Sequence, residues 1–146
     1  QDVNVVSAPA LLKERGVALT ESTRDDSPIY DSLIRIKVKT GGKWRSLAGT
    51  VVAGAPKIAE VKGMQLEAPF HPVMLFVNNS DKPGFIGALG TMLADAKINI
   101  ATFHLGREAE GQDAIALVGV DQVVSDDLLA RIKALPQVRY AKVLRF

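Results

Sequence analysis

Three polar residues in the second half of the chain have the types that bind a small zwitterion. Asn79 and Asp81 lie in a polar run that follows an apolar stretch, and Asn99 stands between two isoleucines at the start of a strand pattern. Strands are poor in asparagine, so that position favours a role beyond packing. An amino acid presents an ammonium group, which carboxylate and carbonyl oxygens can bind. We expect these side chains to gather at one end of a small sheet.

Gly84 closes the same polar run immediately before a helical pattern. Glycine lets the backbone approach a bound group, and N–H groups at a helix start bind a carboxylate. Together with the three polar residues, Gly84 predicts a site that binds an amino acid, and no nucleophile is evident. Plainer explanations stay open, because Asp81 also suits a helix cap and Asn79 an ordinary turn.

A βαββαβ pattern from Val73 to Phe146 positions these residues. An apolar strand over 73–77 precedes a helix over 85–97, and a hairpin of strands over 99–108 and 113–120 follows. Ser125 caps a second helix, and the last strand begins at Val138. This order predicts a ferredoxin-like domain, in which an antiparallel sheet has one face covered by two helices. One face of the first helix carries apolar residues: Ile86, Leu89, Leu93 and Ala96.

The first half of the chain predicts a short strand at Val3–Val6, a helix capped by Ser7 and ended by Gly16, and then an antiparallel meander. The first meander strand alternates with period two. Its apolar face is expected to be buried and its other face is basic; the apolar residues are Ile34, Ile36 and Val38. Glycine-containing turns follow at 40–43 and 62–63. The chain is therefore predicted to be α+β, with a helix-plus-meander domain at 1–70 and a ferredoxin-like domain at 73–146.

Composition removes several classes of function. The 146 residues carry a net charge of +2, no cysteine and two histidines, so thiolate chemistry is excluded and a metal site is not expected. His71 and His104 have no partner constellation and are expected to be structural or solvated. No apolar run is long enough to span a membrane and no signal peptide is evident, which favours a cytoplasmic protein.

Several segments resemble a known enzyme family. Asp81–Gly84, Leu93–Ala101 and His104–Arg107 are similar to the C-terminal ACT domain of D-3-phosphoglycerate dehydrogenase. The segments 7–11 and 14–17, with Gly49-Thr50 and Lys62-Gly63, resemble the second half of the intervening domain in the long form of that enzyme. The resemblance implies a fragment of a longer polypeptide.

The resemblance also implies a ligand and an assembly. ACT domains of that family pair side by side and bind L-serine between them, in a homodimer within a tetrameric NAD-dependent parent. Asn79 and Asp81 would bind serine from one subunit, and Asn99 would reach it from the other. The fragment itself is expected to hold no catalytic residue, NAD or metal, since it lacks the Gly-x-Gly-x-x-Gly fingerprint of a dinucleotide-binding fold.

A basic strand face is the other feature of the first half of the chain. A solvated face is the first interpretation, an anion or phosphate-ester site of the kind known from the family's intervening domain is the second, and nucleic acid is the last, because only Trp44 offers a stacking surface. The candidate anion-binding residues are Arg35, Lys37, Lys39 and Lys57.

Two alternatives to a serine sensor come from other classes. The same fold can serve as an oligomerisation module that binds no ligand. A ferredoxin-like nucleic-acid binder would need exposed aromatic residues on the sheet, and the candidates Phe76 and Phe103 lie in runs better explained as core. We therefore expect neither a nucleic-acid partner nor a membrane partner.

Overall fold

In the part of the chain that the structure describes, three helices and two four-stranded antiparallel sheets form an α+β arrangement. The computed structural model describes residues 3–23 and 29–146. The elements are α1 (Ala8–Glu14), β1 (Leu33–Thr40), β2 (Lys43–Val52), β3 (Ala55–Val61), β4 (Met64–Pro69), β5 (Val73–Ser80), α2 (Phe85–Asp95), β6 (Ile100–Arg107), β7 (Asp113–Val120), α3 (Asp126–Lys133) and β8 (Val138–Arg145).

The first sheet is the predicted meander, with strands in the order β1-β2-β3-β4. Its tight turns use backbone conformations that glycine adopts without strain. Gly41 and Gly42 both have positive φ angles, of 55° and 74°, and the second predicted turn pairs Lys62 at 52° with Gly63 at 86°. Two consecutive positive φ angles are typical of the type I′ turns that match the twist of a hairpin.

The first predicted strand is wrong. Val5 and Val6 lie in a turn, and the side-chain oxygen of Asn4 accepts hydrogen bonds from the backbone of Val6 and Ser7 at 3.0 and 2.8 Å. Ser7 is the N-cap of α1, but its side chain makes no capping bond and instead accepts from the Asn4 N–H. The helix end is as predicted, since Gly16 has a φ of 67°.

The second sheet has the order β6-β7-β5-β8, the ferredoxin-like arrangement expected for βαββαβ. α2 and α3 cover one of its faces. Ser125 caps α3 by accepting the Leu128 N–H at 3.2 Å, as predicted. Ile86 departs from the predicted apolar helix face and is exposed, whereas Phe85 is buried in its place. The core under the helices includes Leu75, Val77, Leu89, Leu93, Val118, Leu128 and Ile132.

The first sheet covers the other face of the second sheet. Ile58, Leu66 and Ala68 pack with Met74 and Leu117 in one buried cluster. The approach is close enough to require glycine. A Cβ built on Gly106 of β6 would lie 2.6 Å from the backbone oxygen of Gln65 in β4. The two sheets therefore share a core.

The residues of the first sheet that are buried in the shared core come from β3 and β4. The paired strands β1 and β2 extend past the contact, so the apolar face of β1 is exposed and its predicted burial is wrong. Ile34, Ile36 and Val38 are 74%, 58% and 51% exposed. Leu47, which is paired with Ile36 on the same face, is exposed as well.

No helix in the described part of the chain combines the length and apolar composition needed to cross a membrane.

Candidate functional site

Asp81 is held in place by the hairpin between β6 and β7. Its Oδ2 accepts a hydrogen bond from Arg107 Nη1 at 2.9 Å and a longer one from the Gly111 N–H at 3.3 Å. Its own N–H donates to the Gln112 carbonyl at 2.7 Å. None of the described residues donates to the other carboxylate oxygen, Oδ1. Asp81 is thus fixed while one acceptor stays available.

These contacts make Asp81 a stable anion. The hydrogen bond from the Arg107 guanidinium is the largest effect and lowers the pKa of the Asp81 carboxyl. Burial, the next effect in size, raises this pKa, and the Gly111 N–H and the charge of Arg107 lower it further. The same pairing raises the pKa of Arg107. Each group therefore favours the charged form of the other.

A surface pocket of about 320 Å³ lies at this end of the second sheet. Its walls come from the segment between β5 and α2 and from the end of β6. Charged groups of both signs line it, beside the apolar side chain of Ile86. The lining residues are Asp81, Lys82, Pro83, Gly84, Ile86, Arg107 and Glu110.

Gly84, and not Asp81, occupies the N-cap position of α2. Gly84 has a φ of 94°, and no side chain of the described residues caps this helix. The cap interpretation of Asp81 is therefore wrong, because its carboxylate is bound to Arg107 and Gly111 instead. A capping side chain would accept hydrogen bonds from the first backbone N–H groups of α2. Without such a cap, these N–H groups can donate to a bound anion.

Asn79 lies beneath the surface at the end of β5 and is 1% exposed. Its Nδ2 donates to the Ser80 carbonyl at 3.0 Å, whereas its Oδ1 is buried with no hydrogen-bond partner among the described residues. The Oε1 of Gln137 is also buried with no hydrogen-bond partner among the described residues. Gln137 lies next to Gly84, since its Nε2 would be 3.7 Å from a Cβ built there. A buried acceptor without a donor costs about 1–3 kcal/mol, so this region favours a bound donor.

Asn99 lies at the opposite end of the sheet from Asp81 in the same chain, so the expectation that all these side chains gather at one end is wrong for a single chain. The register explains the separation. Arg107 and Asn79 both pair with Ala114 at the start of β7, whereas Ile100, next to Asn99, pairs with Val120 at its end. β5 and β6 run parallel, so the end of β5 and the start of β6 lie at opposite ends of the sheet.

Asn99 is held at its own end by two side chains that follow β7. Its backbone N–H donates to Gln122 Oε1 at 2.6 Å, and its Nδ2 donates to Asp121 Oδ2 at 2.6 Å. The other oxygen of Asp121 lies 3.7 Å from His71 Nε2. None of the described residues donates to Asn99 Oδ1, so this exposed carbonyl oxygen can accept a bond from outside the chain.

The candidate anion-binding residues share the outer face of the first sheet. Arg35 is paired with Glu60, with Nη2 to Oε2 at 2.7 Å, and Lys39 lies 5.8 Å from the centre of the Trp44 ring. Lys57 pairs with Thr50 of β2, which pairs on its other side with Leu33, and Lys37 lies between Arg35 and Lys39 along β1. The Glu60 carboxylate partly neutralises this face, and the anion role stays a prediction.

Arg107 bonds directly to Asp81 in the pocket, yet no sequence motif assigned it a role. The predicted topology contained the signal needed to find it, because β5 and β6 of a βαββαβ unit are parallel and end at the same edge. An arginine that ends β6 therefore lies near the loop that follows β5. Across the described residues, no cluster of three metal-ligating side chains is present.

Two protein families match the chain. Residues 1–62 match the D-3-phosphoglycerate dehydrogenase intervening domain, and residues 73–137 match the ACT domain.

Individual relatives match across both halves. D-3-phosphoglycerate dehydrogenase of Methanocaldococcus jannaschii is 29% identical over 97% of this chain and 27% of its own length. The enzyme of Bacillus subtilis is 28% identical over 97% of this chain and 27% of its own length. That of Mycobacterium bovis is 33% identical over 90% of this chain and 26% of its own. The chain thus spans about a quarter of the length of these relatives.

Proposed function

We propose that the chain is a regulatory unit that binds L-serine. The premise is that the chain belongs to the intervening-domain family of D-3-phosphoglycerate dehydrogenase over residues 1–62 and to the ACT-domain family over residues 73–137. The relatives are named for a dehydrogenase activity. In our proposal this region senses the effector of such an enzyme, and substrate oxidation with NAD takes place elsewhere in it.

The observation that carries the proposal is the fixed Asp81 carboxylate at the mouth of the pocket. Its Oδ2 is bound by Arg107 and Gly111, so the side chain is oriented before any ligand arrives, and Oδ1 is left to accept the ammonium of an amino acid. A preoriented group loses little conformational freedom on binding, which favours affinity. The orphan oxygens of Asn79 and Gln137 support a ligand rich in donors.

The position of Asn99 supports a site shared between two chains. β6 is an edge strand of the second sheet, so a second copy can pair with it. If two copies pair antiparallel through β6 about a two-fold axis, the start of one β6 lies beside the end of the other. Asn99 of the partner subunit then lies near Asp81. The residues that a single chain separates would meet in this homodimer.

Regulation follows from this sharing. Serine bound to groups of both subunits stabilises the arrangement of ACT domains that brings those groups together, and it does so only to the extent that it binds that arrangement more tightly than others. In our proposal the paired ACT domains also link two dimers into the tetramer of the parent enzyme.

The test is an isothermal titration of the chain with L-serine, beside an Asp81→Ala, Asn99→Ala double variant and an Asp95→Ala control on the exposed face of α2. Loss of charge-assisted bonds predicts at least about a tenfold weaker affinity in the double variant. The control should match the unaltered chain. Equal affinity of the unaltered chain and both variants contradicts the assignment of these ligands.

The same samples separate the alternatives. A chain that sediments as a dimer but shows no heat with millimolar serine is an oligomerisation module. Salt-dependent binding of oligonucleotides would favour the nucleic-acid interpretation instead.

A further inference from the structure

Arg107 and Asp81 form a pair of opposite charges side by side at the mouth of the pocket. Arg107 Nη1 lies 2.9 Å from Asp81 Oδ2, and the arginine side chain is 56% exposed while that of the aspartate is 20% exposed. Both residues line the same pocket. The guanidinium uses one nitrogen for this contact among the described residues, so Nη2 and Nε keep donors for another acceptor.

This pair is complementary to an amino acid in both of its charges. A zwitterion laid against it, with its ammonium toward Asp81 Oδ1 and its carboxylate toward Arg107, would satisfy the free acceptor and the free donors together. A guanidinium binds carboxylates through two parallel hydrogen bonds, a geometry that a lysine cannot reproduce.

We propose that Arg107 is a ligand-binding residue that holds the α-carboxylate of the amino-acid effector, while Asp81 beside it holds the ammonium. This inference rests on the proposed function, and it adds a second charged ligand and a chemical requirement to the same site. The effector must carry a free carboxylate next to its ammonium group, so amino-acid amides are excluded as strong ligands.

Two other roles of Arg107 make different predictions. If it only orients Asp81, its loss weakens every ligand that carries an ammonium, whether or not a carboxylate is present. If it competes with the ligand for Asp81, its loss strengthens binding. The three roles are distinguished by one pair of ligands, L-serine and L-serinamide, because the amide keeps the ammonium and the hydroxyl but lacks the carboxylate.

The experiment is an NMR titration of the full chain and of its Arg107→Gln and Arg107→Lys variants with both ligands. Lys82→Gln is the matched control, since Lys82 is another cation of the same pocket. We expect Arg107→Gln to weaken L-serine about 10- to 100-fold and to change the affinity for L-serinamide by less than about threefold. Arg107→Lys should lie between, and Lys82→Gln should resemble the unaltered chain.

Four results overturn the inference. Equal losses for both ligands assign Arg107 to the positioning of Asp81, and tighter binding in Arg107→Gln makes it a competitor. If the unaltered chain binds L-serine but Lys82→Gln, instead of Arg107→Gln, loses affinity for L-serine alone, then Lys82 holds the carboxylate and Arg107 does not. A chain that binds neither ligand refutes the proposed function, and this inference with it.

Discussion

β1 and β4 are the two edges of the same sheet, and both alternate apolar with polar side chains, yet only one of them buries its apolar face. Met64, Leu66 and Ala68 of β4 are buried against the second sheet. Ile34 and Ile36 of β1 are more than half exposed. Alternation therefore identifies the side chains that share a face, whereas contact with another element decides whether that face is covered.

The largest expected effect tests this difference directly. Leu66→Ala should lower the free energy of unfolding by about 2–5 kcal/mol, because it opens a cavity between the two sheets. Ile36→Thr removes apolar surface from the same sheet at an exposed site and should change it by less than about 0.5 kcal/mol. Denaturant unfolding measures both. Similar losses in the two variants would mean that the face of β1 is covered in solution.

A second substitution tests how closely the sheets approach. Gly106→Ala places a Cβ against the backbone of Gln65, which cannot move aside as a flexible side chain could, so we expect a loss of about 1–3 kcal/mol. Gly87→Ala makes the same change in α2, where a Cβ meets nothing within 4 Å, and should be neutral or stabilising. Thermal unfolding of the pair provides the comparison, and an unaffected Gly106→Ala would contradict the sheet contact.

The helices of the two halves also differ, in their capping. Ser125→Ala removes the bond to the Leu128 N–H and should cost about 1 kcal/mol. Ser7→Ala removes no capping bond of α1, so we expect only a few tenths of a kcal/mol. Urea midpoints measured under one set of conditions decide between them. A larger loss at Ser7 would show that α1 is capped by that side chain after all.

The smallest effect concerns the titration of Asp81. Because Arg107 lowers its pKa in the folded chain, the stabilisation from this carboxylate is complete above its unfolded pKa of about 3.9 and is lost as the pH falls through the lower folded value. Carbon-13 NMR should find the folded pKa below the ordinary value, and Arg107→Gln should return it toward that value. An unchanged pKa in this variant would show that the ion pair does not persist in solution.

Most of the fold was predictable, because each element carries a local signal. The glycines at 41, 42 and 63 predicted the hairpins, Ser125 predicted the start of α3, and the order βαββαβ predicted the second sheet. At the start of the chain, the sequence pattern predicts the wrong element. The apolar Val3–Val6 resembles a strand, but the Asn4 side chain folds the backbone into a turn that leads into α1.

The site was predictable in part. Asp81 and Gly84 lie at the pocket, as their positions in the loop indicated. The separation of Asn99 and the nearness of Arg107 both depend on strand direction, a property of the topology and not of any local motif. The packing of the first sheet on the second could not be predicted either, because it depends on which faces of strands far apart in the sequence meet.

The close stacking of β4 on β6 has a mechanical consequence. Gly106 lets the two backbones approach, the link between the sheets is only residues 70–72, and Phe70 packs edge to face on Phe146 at 5.0 Å between ring centres. The close backbone approach, the short link and the ring contact together hold the two sheets against each other. We therefore expect the meander to move together with the ferredoxin-like half, so that a small rotation of the second sheet would become a larger displacement at the distant strand β1.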